Sequence, residues 1–218
     1  MIYSNKRKLG LSGWLKQNSE REYDTPLKLQ KFLLFYESFS KVAGETVDFS
    51  HLRGYKRGPV FSNVWGDYTK ERTLFDEAAL KQYQSGENEI DEKRARKSAF
   101  IVETLTEAEL SGLTHRINLW KAKEERIQSG EYQVDLDEED FNQEDVQLIT
   151  LLDQMYSDDV VKNSVVIPLD NHYFVFQKDV ATRLTEQHFD VLSTLSEKET
   201  LYNPVYVGMD EEGRLIID

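Results

Sequence analysis

The sequence predicts an α+β protein in which a mainly helical N-terminal domain precedes a smaller, acidic α+β region with hairpins. Three observations predict this fold class. Apolar residues recur at helical spacing through the first half, β-branched and aromatic runs bounded by turn residues appear after about residue 164, and the net charge changes between the halves. A turn signal at Ser129 and Gly130 sets the predicted boundary, giving domains at residues 1–128 and 129–218.

The first predicted long helix begins near Pro26. Asp24 and Thr25 are candidate N-cap residues, and proline is favoured at the first helical position because its ring fixes φ there. The helical stripe consists of Leu27, Leu29, Phe32, Leu33, Phe35, Tyr36 and Phe39. This stripe covers more than one narrow face, so we expect the helix to be central and mostly buried, with its end near Gly44.

Further helices are predicted up to about residue 115. Pro59 is expected at the first position of a helix that carries Val60, Val64, Trp65 and Tyr68, with both Trp65 and Trp120 in the core. Helices are also predicted over residues 75–83 and 91–105. Thr106 and Glu109 have the spacing of a capping box, which predicts a short helix after them.

The C-terminal region changes its periodicity along the chain. An acidic run over residues 135–145 precedes a helical stripe of Val146, Ile149, Leu152 and Met155. Residues 164–169 and 172–177 flank the turn pair Asp170-Asn171 and predict a hairpin, as residues 206–209 and 214–217 do around a second turn. A helix is predicted between them over residues 185–195.

Composition limits the class of protein. The chain has no cysteine, which excludes disulfides, a thiolate nucleophile and Cys-ligated metal. No apolar run is long enough for a membrane span and no signal peptide is recognisable, so we predict a cytoplasmic protein without a membrane partner. The 25 aromatic residues, 11 Phe, 11 Tyr and 3 Trp, supply the bulk for a core.

The net charge of −13 is unevenly distributed. Residues 1–125 carry 21 basic and 19 acidic side chains, a net of +2, whereas residues 126–218 carry 6 and 21, a net of −15. An acidic surface repels nucleic acid and attracts basic partners. The asymmetry therefore predicts a partner-binding role for the second half, although a surface kept acidic for solubility explains the charge equally well.

The sequence offers little support for catalysis. No Gly-x-Ser-x-Gly elbow, phosphate-binding glycine loop or His-Glu-x-x-His motif is present, and the Asp135-x-Asp137-x-Glu139 pattern lacks the glycine and the spacing of a calcium loop. We predict no enzyme activity, no cofactor and no metal. His115 contributes either to a pocket or interface, or, as the simpler interpretation, to a satisfied structural contact near Trp120.

Three ordered segments resemble a known family. They are LKLQKFLLFY at residues 27–36, YKRGPV at 55–60, and LSGLTH at 110–115 followed by Trp120. Their order and spacing resemble the Panacea domain, also called SocA-like or GepA-like, over about residues 24–125, with departures at Arg57 and Leu119, where the family often has His and Pro. The matching motif residues are Leu29, Gln30, Lys31, Tyr36, Gly58, Pro59, Val60, His115 and Trp120.

The resemblance implies a helical domain that acts by binding. Members of the family are antitoxins that neutralise toxins encoded beside them, and the SocA-type member works as a proteolytic adaptor. The resemblance therefore implies a cognate protein toxin as partner, with delivery to a protease as one route. Residues 130–218 lie outside the match and, by analogy, form a partner-specific extension.

Charge singles out candidate contact residues beside the motifs. A small basic cluster, Arg53, Lys56 and Arg57, precedes the Gly-Pro turn, and the acidic run offers Asp137, Glu138 and Asp140. Both sets are candidates for partner binding. Solvated loop charges are the simpler interpretation of the basic cluster, and a solubilising helix start, whose acids the N-terminal helix dipole favours, explains the acidic run equally well. The alternative function is a phage-encoded acidic inhibitor or DNA mimic that occupies a host nucleic-acid enzyme, since carboxylates imitate phosphates. The sequence leaves the oligomeric state open.

Overall fold

The computed structural model describes residues 1–87, 89–198 and 201–217. Helices make up 57% and strands 14% of the protein, which confirms the predicted, mainly helical α+β class. The helices are α1 Lys6–Asn18, α2 Glu20–Tyr23, α3 Pro26–Val42, α4 Ser62–Lys70, α5 Arg72–Gln84, α6 Glu92–Glu103, α7 Glu107–His115, α8 Asn118–Lys121, α9 Glu124–Gln128, α10 Gln143–Met155, α11 Asp158–Asn163, α12 Lys178–Ala181 and α13 Glu186–Ser196. The strands are β1 Leu52–Tyr55, β2 Gly58–Phe61, β3 Val134–Asp135, β4 Ser164–Leu169, β5 His172–Gln177, β6 Val205–Met209 and β7 Leu215–Ile217, and a 3₁₀ turn covers Glu138–Asp140.

Helix α3 is the centre of the larger core, as its apolar stripe predicts. It begins at Pro26 after Thr25, and every residue from Lys28 to Ser40 is buried. Trp14 of α1 stacks on Phe32 of α3 with ring centroids 5.7 Å apart. Neighbouring helices, together with strand β2, therefore cover α3.

A buried ion cluster fixes α1 against α3. The Lys8 ammonium and the Arg7 guanidinium both donate to the Glu37 carboxylate, at 2.5 Å and 2.8 Å, and Lys8 also donates to the Asp48 carbonyl oxygen. The Lys8 and Glu37 side chains are almost entirely buried. Burial of a lone charge is expensive, so each of these charges depends on its partner.

Helices α1 and α5 approach each other closely at a glycine. A Cβ added to Gly13 would collide with the carbonyl oxygen of Ala79, which is backbone of α5. Two helices can come this close only where one of them lacks a side chain. Gly13 therefore sets the spacing of this helix pair.

A small antiparallel sheet of order β2-β1-β3 crosses the motif region. The prediction that Pro59 begins a helix is wrong, because Pro59 pairs with Gly54 in the β1–β2 hairpin and α4 begins only at Ser62. Proline lacks an N–H donor and is tolerated here because β2 is an edge strand of the sheet. Arg53 pairs with Asp135 of β3, which joins the hairpin to the acidic run.

The second sheet has the order β4-β5-β6-β7 and contains both predicted hairpins. Strands β4 and β5 pair antiparallel, as do β6 and β7, while β5 and β6 pair parallel. One face packs on α12 and α13 through a separate core cluster that includes Phe174, Phe176 and Leu192. The predicted helix over residues 185–195 is confirmed as α13.

The larger core extends beyond residue 128. Val134, Leu136, Ile149 and Leu152 are buried in the same cluster as α3, whereas the second cluster is formed by residues after 173. Strand β5 contributes to both cores, with Val175 in the larger one and Phe174 and Phe176 in the second. Met155, the last residue of the predicted α10 stripe, is 56% exposed. Within the described residues, no helix is long and apolar enough to cross a membrane.

Candidate functional site

The three sequence segments that carry the family resemblance meet at the β1–β2 hairpin. Gln30 of α3 accepts a hydrogen bond from the Phe61 backbone N–H at 2.8 Å. The Lys31 ammonium donates to the carbonyl oxygens of Arg57, at 2.9 Å, and Pro59, at 3.4 Å. From the third segment, the Trp120 indole N–H donates to the Tyr55 carbonyl oxygen at 3.0 Å. Distant parts of the chain therefore hold one hairpin in place.

Gly58 occupies a position where a side chain would be strained and crowded. Its φ of 101° lies in the region that residues with a Cβ rarely adopt. An added Cβ would lie 2.6 Å from the Thr114 hydroxyl oxygen of α7 and would collide with the Lys31 ammonium. The glycine lets the hairpin turn lie directly on α3 and α7, which explains the Gly-Pro pair in structural terms.

Lys31 carries an unusual buried amine. It is fully buried beneath the hairpin, and this burial lowers its pKa to about 7, with a smaller contribution from the positive charge of Arg57. A neutral amine still has two N–H groups to donate to its two carbonyl acceptors. Lys31 therefore holds the turn in either protonation state.

His115 stacks on Trp120 beneath the same hairpin. Their ring centroids lie 3.9 Å apart, and Trp120 is fully buried, as predicted. Burial, and then the charge of Lys31, lowers the pKa of His115, while a hydrogen bond to the Lys56 backbone opposes that change. The Nε2 atom of His115 is buried without a hydrogen-bond partner among the described residues. The stacking places His115 beside Trp120, as the simpler interpretation expects, but the partnerless Nε2 differs from the satisfied contact of that interpretation.

The remaining family-motif residues divide between the core and the surface. Leu29 and Tyr36 are buried in α3, and the Tyr36 hydroxyl accepts a hydrogen bond from the Asp91 N–H at 3.0 Å. Val60 is half-buried and lines an open cleft beside the hairpin. Leu29 and Tyr36 therefore stabilise the core, whereas Val60 is available to a ligand.

This cleft has a volume of about 640 Å³ and lies between the start of α3, the hairpin and the segment 130–133. Its apolar walls are Pro26, Leu27, Tyr55, Val60, Trp65 and Ile127. The prediction that Trp65 is a core residue is wrong, because its side chain is 41% exposed. It lies one turn into α4, where the change from strand to helix at Ser62 turns it toward the cleft instead of the core.

Most of the charged side chains at the cleft rim are paired with a side chain of opposite charge. Arg57 pairs with Glu107 at 2.7 Å, and Glu131 pairs with Arg126 at 2.5 Å. Lys56 is exposed, and no ion pair joins its ammonium to another described side chain. The rim therefore keeps one uncompensated positive charge above the buried Lys31.

The predicted acidic contact residues lie close to the hairpin, and each of them forms an ion pair. Lys123 pairs with both Asp137 and Asp140, at 2.9 Å and 2.8 Å, and Lys41 pairs with Glu138 at 2.6 Å. Arg53, predicted as a contact residue, pairs with Asp135. The acidic run is thus interleaved with basic side chains from remote parts of the chain.

The last acid of the run, Asp145, is buried and has a structural role. It accepts hydrogen bonds from the backbone N–H groups of Asn118, at 2.5 Å, and Leu119, at 3.1 Å, at the start of α8. Burial raises its pKa, and these backbone bonds partly oppose the effect. Asp145 therefore caps a helix and is not available to a partner.

Sequence reasoning missed the segment that forms the far wall of the cleft. Tyr132 is 79% exposed and packs edge-on against Tyr55 with ring centroids 6.0 Å apart. Gly130 and Gln133 flank it with φ values of 94° and 56°. The only signal in the sequence was Gly130, because the pairing of β3 with β1 that places this segment is long-range.

Neither a metal-binding cluster among the described residues nor a known relative identifies the function of the site. No group of three or more His, Asp or Glu side chains in the described ranges is placed to hold a metal ion. No family model, curated protein or solved structure matches the chain.

Proposed function

We propose that the protein is a cytoplasmic antitoxin that neutralises a cognate protein toxin by direct binding, without catalytic turnover. One observation supports this function above the others. The three segments that resemble the Panacea domain converge on the β1–β2 hairpin through Gln30, Lys31 and Trp120. Residues scattered over some 90 positions thus serve one local structure, as expected if they define a family fold.

The proposed binding surface, which we call the hairpin–loop face, consists of Arg53, Lys56 and Arg57 of the hairpin, Tyr132, and the acidic residues Asp137, Glu138 and Asp140. The pairing of β1 with β3 joins its basic and acidic parts. Tyr132 is its best anchor, because tyrosines that become buried on binding often contribute a large share of the affinity. The flanking charges would mainly affect the association rate and selectivity.

The ion pairs of the acidic run do not favour the DNA-mimic alternative. A phosphate mimic requires carboxylates that remain uncompensated, yet Lys41 and Lys123 pair with three of the acids at residues 137–140. A mixed surface of this kind suits a protein partner with charges of both signs. The acidic half nevertheless makes a host nucleic-acid enzyme the partner to test if no toxin is found.

The test is a co-expression growth assay with the reading frame adjacent to this gene under an inducible promoter. Wild-type protein should restore growth, Tyr132→Ala should restore it less, and Tyr202→Ala is the matched control, because Tyr202 is 86% exposed but lies outside the hairpin–loop face. Toxin levels measured in parallel distinguish steric neutralisation, where they stay constant, from delivery to a protease, where they fall. A harmless neighbouring product would remove the basis of the proposal.

A further inference from the structure

The cleft beside the hairpin has the size and lining of a small-molecule site. Its volume of about 640 Å³ lies within the roughly 300–1,000 Å³ typical of ligand pockets. One wall of the cleft is apolar and consists of Leu27, Val60, Trp65 and Ile127. A flat crevice between surface side chains would lack such a wall. Such sites use apolar walls for affinity and a few polar groups for orientation.

The charges around the cleft favour an anionic ligand. Its two acidic lining residues, Glu107 and Glu131, each pair with an arginine. Its lining includes the Lys56 ammonium, which has no ion-pair partner in the described chain, and the buried amine of Lys31. The cleft is thus locally cationic in a protein whose net charge is −13.

We propose that this cleft binds a small amphipathic carboxylate, with its alkyl or aryl body between Leu27, Val60 and Trp65 and its carboxylate at Lys56. A carboxylate there gains an ammonium partner without having to break an existing ion pair. A cationic head group would meet Lys56 as a like charge and would have to compete with arginines for the two glutamates. The proposal is independent of the antitoxin function, since the isolated protein suffices to test it.

The protein contains its own reporter for binding. Trp65 lines the cleft and is 41% exposed, whereas Trp14 and Trp120 are almost fully buried. A ligand in the cleft should therefore change the fluorescence of Trp65 and leave the other two indoles unaffected. Trp65→Phe should remove the fluorescence change, and calorimetry then reports binding independently of it.

The experiment titrates the full-length protein with dodecanoate and with dodecyltrimethylammonium below their micellar concentrations. We expect saturable one-site binding of dodecanoate, at least about tenfold tighter than that of the cation. Lys56→Gln should weaken dodecanoate binding roughly three- to fivefold, as expected for one exposed ion pair. The control Lys81→Gln removes an exposed lysine of α5 outside the cleft and should leave binding unchanged.

Val60→Asp provides a second, independent variant. It places a carboxylate in the cleft wall and should abolish dodecanoate binding, while thermal unfolding shows whether the variant is folded. Equal affinity for both amphiphiles, the absence of saturable binding, or undiminished binding to Lys56→Gln and folded Val60→Asp would each overturn the proposal.

Discussion

Replacing Gly58 by alanine tests whether the motif segments hold the hairpin as described. At a φ of 101°, a residue with a Cβ is strained by roughly 1–3 kcal/mol. The new methyl group also collides with the Lys31 ammonium and lies 2.6 Å from the Thr114 hydroxyl. Displacing Lys31 weakens two hydrogen bonds to carbonyl oxygens, worth about 1 kcal/mol each.

The expected loss for Gly58→Ala is therefore about 2–5 kcal/mol in the free energy of unfolding, a large part of the ~5–15 kcal/mol of a typical domain. Urea denaturation followed by far-UV circular dichroism measures it. Gly112→Ala is the matched control, since Gly112 lies inside α7 with no atom near an added Cβ. It should stabilise the protein by up to about 1 kcal/mol. A loss below ~1 kcal/mol for Gly58→Ala would refute the reasoning.

Three further substitutions test other contacts. In the folded protein the pKa of Lys31 is lowered from 10.5 to about 7, so between these pH values the unfolded state binds one more proton and stability rises with pH. Lys31→Met should lower the slope of the unfolding free energy against pH by up to ~1.4 kcal/mol per pH unit. Urea denaturation from pH 7 to 9 measures this slope. An unchanged slope would show that the lysine is charged in the folded protein. Gly13→Ala should cost about 3 kcal/mol in thermal unfolding because α5 backbone occupies the space, whereas Gly66→Ala, with open space around it, should cost nothing. Asp145→Ala leaves two backbone donors of α8 without their acceptor and should lower the free energy of unfolding by roughly 2 kcal/mol. The control Glu144→Ala removes an exposed side chain and should lower it by less than ~0.5 kcal/mol. Equal effects of the two substitutions would contradict the capping role of Asp145.

Local signals in the sequence predicted local structure well. The capping box of Thr106 and Glu109 forms as expected, and both C-terminal hairpins form around the predicted turns. The buried stripe of α3 is also confirmed. These features depend on residues only a few positions apart, so periodicity and turn chemistry suffice to find them.

Long-range pairing accounts for the errors. The Gly-Pro pair favours a helix that starts at Pro59. The hairpin that contains Pro59 is instead fixed by Gln30, Lys31 and Trp120 from elsewhere in the chain. The misplacement of Trp65 follows from the same error. No local pattern in the sequence reveals that Lys123 would pair with Asp137 and Asp140. The cleft likewise depends on the β1–β3 pairing and had no local signal beyond Gly130.

The most direct test of the central claim is amide hydrogen exchange of this protein alone and with the purified product of the adjacent reading frame, the proposed toxin. If this product binds the hairpin–loop face, exchange should slow in residues 53–57 and 130–140, and the strands of the second sheet, within residues 164–177 and 205–217, should change little. Protection confined to residues 164–217, or no protection with the adjacent gene's product in molar excess, would contradict direct binding at this face.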